Sequence, residues 1–302
     1  MLNSPRLRRS TSVPLACVAL LSGCGYFRLD AQKPHVKVVA DQTYVLGSPH
    51  SKHKLDLYLP RNRDAAPLVL FVHGGFWRNQ DRRYYQAFTG LHGNIGTALA
   101  KQGFAVGVMS YRLFPEATLA DQLADVARAA KWMTEHAAQG SGRASSLFLV
   151  GFSAGGHLVM SICADPLQLY RIGVAPGTLR GCASLSGVLD IAAMAAGQTD
   201  SFNHELTIPL FGATADAQAR YSIVGKSLPE RTPTFLLWAE KDYPFVKSAG
   251  QAVAPQLRAQ GVQVSTTEVS GYEHADVVLQ VLRDGDAVTL PLVTFLKEQI
   301  PP

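Results

Sequence analysis

Cysteine is scarce, with 4 in 302 residues, and no two stand at C-x-x-C spacing. His204-Glu205 has no second histidine at the spacing a zincin needs, so a structural or catalytic zinc finds no ligand set. No G-x-x-x-x-G-K-[ST] phosphate loop is present, and the chain has neither internal repeats nor a low-complexity tract. The formal charge of +5 comes from 28 Lys+Arg against 23 Asp+Glu, and it is smaller than it looks. Arg6, Arg8 and Arg9 fall in a first segment that holds no acid. The remainder is nearly balanced and carries no Lys/Arg cluster that would argue for nucleic acid. The apolar stretch Val13 to Leu21 is too short to span a bilayer comfortably. What is abundant is apolar: 47% of the residues are hydrophobic, enough for the large core of one α/β domain.

Two short apolar runs end in motifs with chemical meaning. The first is Leu147-Phe148-Leu149-Val150, followed by Gly151-Phe152-Ser153-Ala154-Gly155 and the helix-compatible stretch His157 to Ala164. A serine hydroxyl is a poor nucleophile at neutral pH, so it must be held at a sharp turn within reach of a base. A G-x-S-x-G elbow between strand and helix does this. The second run, Leu68 to Val72, ends in His73-Gly74-Gly75-Phe76-Trp77. Acyl transfer builds negative charge on the carbonyl oxygen, and glycines allow backbone N–H groups to approach it closely. Ala154 with Gly74 or Gly75 are the expected oxyanion donors, with Phe76 and Trp77 as walls of the substrate pocket.

The remaining partners follow from chain order, nucleophile then acid then histidine. Of the 9 histidines only His204 and His274 lie well past the elbow helix, and no strand run immediately precedes His204. His274 follows the β-branched run Val262 to Val269 across a Gly271-Tyr272-Glu273 turn, which makes it the expected base. The acid should follow the strand Thr234 to Trp238. Asp242 is chosen because Tyr243-Pro244-Phe245-Val246 opens a helix directly after it, with Glu240 in reserve and Asp190 third. Asp276 is too near the base to orient it independently. His157 reads as a structural histidine, and Arg112 with Glu116 as a structural ion pair. The chemistry requires no cofactor and no metal.

From about Leu55 to Lys297 the chain resembles the α/β-hydrolase esterases of the bifunctional feruloyl/acetyl-xylan esterase-like and hormone-sensitive lipase-like groups. Kynurenine formamidases share the same features. The resemblance rests on His73 to Trp77, Ser110-Tyr111-Arg112-Leu113 with Pro115-Glu116, Gly151 to Leu158, Ser186-Gly187-Val188-Leu189-Asp190, and Gly271-Tyr272-Glu273-His274. Phe76 stands where hormone-sensitive lipase-like enzymes carry a third glycine. The following Trp77 is similar to the H-G-G-x-W form of the formamidases and of the feruloyl/acetyl-xylan group. The resemblance implies an α/β-hydrolase fold, a mostly parallel sheet flanked by helices, and a serine esterase for small acyl groups. An arylformamidase is the alternative, and a non-catalytic binding protein on the same fold is the reading from another class.

The order of apolar runs agrees with alternating strands and helices. Val36 to Leu46 and Lys54 to Leu59 read as early antiparallel edge strands, and Leu119 to Ala138 as an amphipathic helix. Residues 188–231 are long for a connection and are expected to form a small cap within the domain 36–302. Ahead of it, residues 1–23 read as a signal peptide and 24–35 as a tether. Leu21-Ser22-Gly23-Cys24 resembles a bacterial lipobox, which implies a lipid on Cys24 and a membrane partner, and Gly25 implies sorting to the outer membrane. Cys163 and Cys182 remain; they could pair in an oxidising periplasm, but two buried thiols packed as small hydrophobes is the preferred reading.

Overall fold

The computed structural model describes residues 36–60, 66–137 and 146–301. The signal, the tether and Cys24 lie outside the described residues. Eight strands form one sheet in the order β1-β2-β4-β3-β5-β6-β7-β8. They are β1 (Val36–Thr43), β2 (Lys54–Pro60), β3 (Leu68–Val72), β4 (Ala105–Met109), β5 (Leu147–Phe152), β6 (Leu179–Leu185), β7 (Thr234–Lys241) and β8 (Val264–Glu273). Strands β3 and β5 to β8 run parallel to β4, while β2 is antiparallel to both β4 and β1. It follows that β1 points the same way as β3, so Val36 lies at the amino edge of the sheet and Thr43 at the carboxyl edge. Every residue of β3, β4 and β5 is buried, as a parallel sheet covered on both faces requires. This is the α/β-hydrolase fold.

Helices α1 (Leu91–Lys101), α2 (Leu119–Trp132), α3 (Ala154–Ala164), α4 (Pro244–Ala259) and α5 (Thr289–Glu298) cover the two faces. On one face Ile95, Leu99, Leu292 and Leu296 pack against Val69, Phe71 and Phe148. On the other Val126, Leu158, Val159, Val253 and Leu257 close over Leu70, Leu149 and Leu236. The strand alternation makes this two-sided core: odd and even residues of each strand face opposite layers. Helix α2 starts at a capping box, with Asp121 N donating to Thr118 Oγ1 (3.2 Å) and Thr118 N donating to Asp121 Oδ2 (3.0 Å). It continues into a wider π-turn at Met133–Ala137.

Residues 188–231 carry short helices at Ile191–Ala196, Asp200–Phe202, Ile208–Phe211 and Ala215–Ala219, with a π-turn at Asn203–Thr207. Ile223 N donates to Leu189 O at 2.8 Å, which closes the base of this insertion.

Three local expectations change. The Gly271-Tyr272-Glu273 segment is strand, because β8 runs on to Glu273; a register shift opposite Ala239 and Lys241, with Gly271 at φ 77°, absorbs the irregularity. Arg112 does not pair with Glu116: its Nε and Nη2 both reach the fully buried carboxylate of Asp125 at 2.9 Å, while Glu116 meets His50. A buried carboxylate needs donors more than an exposed one does, and Asp125 on α2 lies beneath the guanidinium. Cys163 of α3 and Cys182 of β6 are joined as a disulfide rather than packed as free thiols, with Cα atoms 6.7 Å apart. Helix α3 packs directly on β6, so both buried sulfur side chains point into the same gap.

Candidate active site

Ser153 stands between β5 and α3 with φ 54° and ψ −119°, a backbone conformation that L-residues rarely adopt. Such strain is held only where the surroundings over-determine it. Here Ser153 N donates to Leu185 O (2.9 Å), and Ser153 O accepts from His157 N (3.2 Å) and Val188 N (3.3 Å). The flanking glycines are required by contact. A Cβ on Gly151 would meet Gly155 O at 2.2 Å, and one on Gly155 would meet Val72 O at 2.1 Å. The elbow therefore sits hard against the end of β3, where the His73-Gly74-Gly75 loop begins.

Five strands deliver side chains to this one edge: His73 follows β3, Ser153 follows β5, Ser186 follows β6, Asp242 follows β7 and His274 follows β8. His274 Nε2 lies 3.0 Å from Ser153 Oγ, and His274 Nδ1 lies 2.6 Å from Asp242 Oδ1. The carboxylate accepts only, so Nδ1 carries the proton and Nε2 offers its lone pair to the serine hydroxyl. Asp242 also accepts from Tyr243 N (2.8 Å) on Oδ1, and from Ala239 N (3.2 Å) and Ser186 Oγ (2.5 Å) on Oδ2. Its side chain has no solvent exposure, while that of His274 keeps 17%. Phe152 and Tyr243 hold the imidazole between them, at ring separations of 5.0 and 4.8 Å.

The loop after β3 is fixed from beneath. Burial pushes the His73 imidazole down to about 3, so the ring is neutral, and its Nδ1–H donates to Gly74 O at 2.7 Å. The Tyr111 hydroxyl donates to His73 O at 3.1 Å, and its ring stacks on His73 at 4.4 Å. Gly75, at φ 102°, accepts at its carbonyl from Arg78 N (3.2 Å) and Asn79 N (2.9 Å). A Cβ on Gly75 would strike Asn79 O at 2.2 Å. Gly74 passes so close to the nucleophile that its own Cβ would lie 3.0 Å from Ser153 Cβ. Ala154 opens α3, where the first N–H groups lack intrahelical acceptors and are free to face an anion. The backbone of Gly74 and the first turn of α3 thus both lie beside Ser153.

The two aromatic residues after the glycines divide. Phe76 is half-buried and meets Phe202 edge-on at 5.2 Å. Trp77 has no exposed surface and packs against His157 (5.3 Å) and Phe211 (4.9 Å), so it supports the loop from behind and is not a wall of the pocket. Both residues have positive φ, 51° and 56°, which turns Trp77 inward under the insertion. Arg78 continues the loop toward Glu205 at 3.5 Å. His157, driven down to about 4 by burial, donates from Nε2 to Tyr221 O (2.8 Å), a structural role. Of the other carboxylates, Asp190 caps its helix through Ala193 N (3.0 Å) and Asp276 accepts from Glu273 N (2.9 Å). Glu240 turns outward on β7 to accept from Ser270 Oγ (2.9 Å) and Gly271 N (2.6 Å). None of them reaches His274. His204 is exposed in the π-turn of the cap, whose Leu206 and Thr207 are buried. Ser186 and Tyr111 are contributors that the sequence displayed in motifs without assigning a role.

The isoprenylcysteine alpha-carbonyl methylesterase ICME of Arabidopsis thaliana is 25% identical over 283 residues, covering 88% of this chain. The chain spans only 63% of that plant protein. The kynurenine formamidase of Drosophila melanogaster is 25% identical over 236 residues, 77% of this chain and 74% of its own length. Among solved structures, esterase B from Lactobacillus rhamnosis inhibited by a tributyrin phosphonate superposes with a TM-score of 0.71. That match covers 89% of this chain and 90% of the esterase at 21% identity, a likeness of fold. The BD-FAE family model matches residues 55–242, more than half of the chain and from β2 through the elbow to Asp242, and the protein therefore belongs to the BD-FAE family.

Proposed function

We propose that the protein is a serine hydrolase that cleaves carboxylic esters of small acyl groups through an acyl-enzyme. The observation that carries this reading is the continuous chain from Ser153 Oγ to His274 Nε2 (3.0 Å) and from His274 Nδ1 to Asp242 Oδ1 (2.6 Å). Ser153 Oγ attacks the ester carbonyl while His274 Nε2 takes its proton, and Asp242 holds the tautomer and stabilises the imidazolium. The N–H groups of Ala154 and of Gly74 or Gly75 receive the oxyanion. His274 returns its proton to the departing alcohol, and water, deprotonated by the same nitrogen, releases the acid and restores Ser153. The names of the plant methylesterase and of esterase B support ester cleavage. Phe76 meets Phe202 and Arg78 pairs with Glu205, so the loop after β3 touches the cap, and the reading of short acyl groups takes these contacts as the limit on the acyl side.

The formamidase relative from Drosophila favours a second reading, cleavage of an N-formyl amide by the same groups. Expelling an amine requires efficient proton delivery from His274, whereas an activated aryl ester departs almost unaided, so aryl esters cannot separate the two. The deciding measurement is kcat/KM for acetyl, butyryl and longer esters of unactivated alcohols beside N-formyl-kynurenine. Short esters should lead, and Ser153→Ala should lose both turnover and labelling by a fluorophosphonate. A formamide hydrolysed orders of magnitude faster than every ester would replace the first reading, and persistent labelling of Ser153→Ala would place the nucleophile elsewhere.

We further propose that the mature protein is held on a bacterial outer membrane through a lipid on Cys24. The lipobox-like Leu21-Ser22-Gly23-Cys24 supports this, and the Cys163–Cys182 disulfide suits an oxidising compartment. Among the described residues no helix is long and apolar enough to cross a membrane. Cys24→Ala should move the protein from the membrane pellet to the soluble fraction; wild type that is free of lipid would end this proposal.

A further inference from the structure

Ser186 has no role in the reaction as written above, yet it is fully buried and its hydroxyl touches the triad acid. We propose that Ser186 is a positioning residue for Asp242; the proposal rests on the triad reading. Its Oγ donates to Asp242 Oδ2 at 2.5 Å, and its N–H donates to Leu237 O on the neighbouring strand at 2.6 Å. At φ 47° the chain turns out of β6 in a left-handed conformation, which is unfavourable for a residue that carries a side chain. That turn swings the hydroxyl across to the end of β7. Without it, among the described residues Oδ2 keeps only the Ala239 N–H at 3.2 Å, a long bond for a carboxylate with no solvent exposure. Hydrogen bonds to an ionised acceptor are the strong, direction-setting kind. The Ser186 hydroxyl therefore fixes the plane of the carboxylate, and with it the direction in which Oδ1 meets His274 Nδ1.

The same short segment holds the nucleophile. Leu185 O accepts from Ser153 N, and Val188 N donates to Ser153 O. Between them a Cβ on Gly187 would lie 2.0 Å from Ser184 Oγ, so the segment is packed too tightly to carry a side chain there without displacing Ser184. Residues 185–188 thus form a brace with the backbone of Ser153 on one side and the carboxylate of Asp242 on the other. It fixes the span that His274 must bridge.

A double-mutant cycle separates this role from a merely structural one. Ser186→Ala and Ser186→Gly are made in wild type and in Asp242→Asn, and kcat and KM are measured with p-nitrophenyl butyrate. Glycine accepts the positive φ without strain, and both substitutions remove the hydroxyl. The expected result is a tenfold to hundredfold fall in kcat for both variants, with KM within about twofold. In the Asp242→Asn background neither variant should lose anything further. Equal losses in the two backgrounds would overturn the proposal, as would a Ser186→Gly enzyme that keeps wild-type kcat, since the hydroxyl would then be dispensable. An Asp242→Asn enzyme with wild-type turnover gives a different signature, removing the triad reading itself and the proposal with it.

Discussion

Asp242 and Glu240 stand two residues apart at the end of one strand, and their surroundings assign them opposite tasks. Asp242 is turned inward, where Ser186, Ala239, Tyr243 and His274 all donate to it. Glu240 is exposed, and the Gly271 N–H followed by the Ser270 hydroxyl holds its carboxyl below the ordinary range. Strand alternation would place residues 240 and 242 on the same face; the turn at the end of β7 sends them apart. Asp242→Asn should lower kcat/KM by about a thousandfold to ten-thousandfold, because an amide can present N–H to Nδ1 and favour the wrong tautomer. Glu240→Gln should stay within a fewfold of wild type. Steady-state kinetics on one short ester checks both, and the reverse order would show that the acid is misassigned.

At the level of elements, the order of strands and the loops that carry Ser153, Asp242 and His274 could be read from apolar runs followed by glycine or acid. Those signals are local, since a buried parallel strand is a short apolar stretch and its loop begins where the stretch stops. The misses come from long-range partners and from local backbone angles. Arg112 was offered Glu116 four residues away, but its partner Asp125 comes from the next helix and is chosen by burial. Trp77 reads as a pocket wall from its place beside the glycines. Two consecutive left-handed residues, Phe76 and Trp77, reverse that direction and put the indole under the cap, and periodicity does not encode φ. The extension of β8 to Glu273 was hidden by Gly271, which as a lone glycine signals a turn or a bulge equally well. Ser186 was visible in its motif, but its task depends on the separation of β6 and β7 in space.

For the whole molecule, three buried histidines tie stability to pH. Burial drives His73 to about 3 and both His92 and His157 to about 4, against about 6.5 in the unfolded chain. Their depressed values mean that the unfolded state binds more protons below pH 6.5. The stabilisation is complete above that pH and is lost as pH falls toward 4. The slope approaches roughly 1.4 kcal/mol per pH unit for each ring. Urea midpoints between pH 7.5 and 5 should stay level at first and then decline; a flat response from 6.5 to 5 would mean that these rings are not buried as neutral groups. The direction of β1 carries a consequence of another kind. Its first residue, Val36, enters at the amino edge of the sheet, while Ser153 and His274 open at the opposite edge. If the lipid proposed on Cys24 is present, its stalk joins the domain at the base of the cup, on the edge opposite the mouth where Ser153 and His274 open.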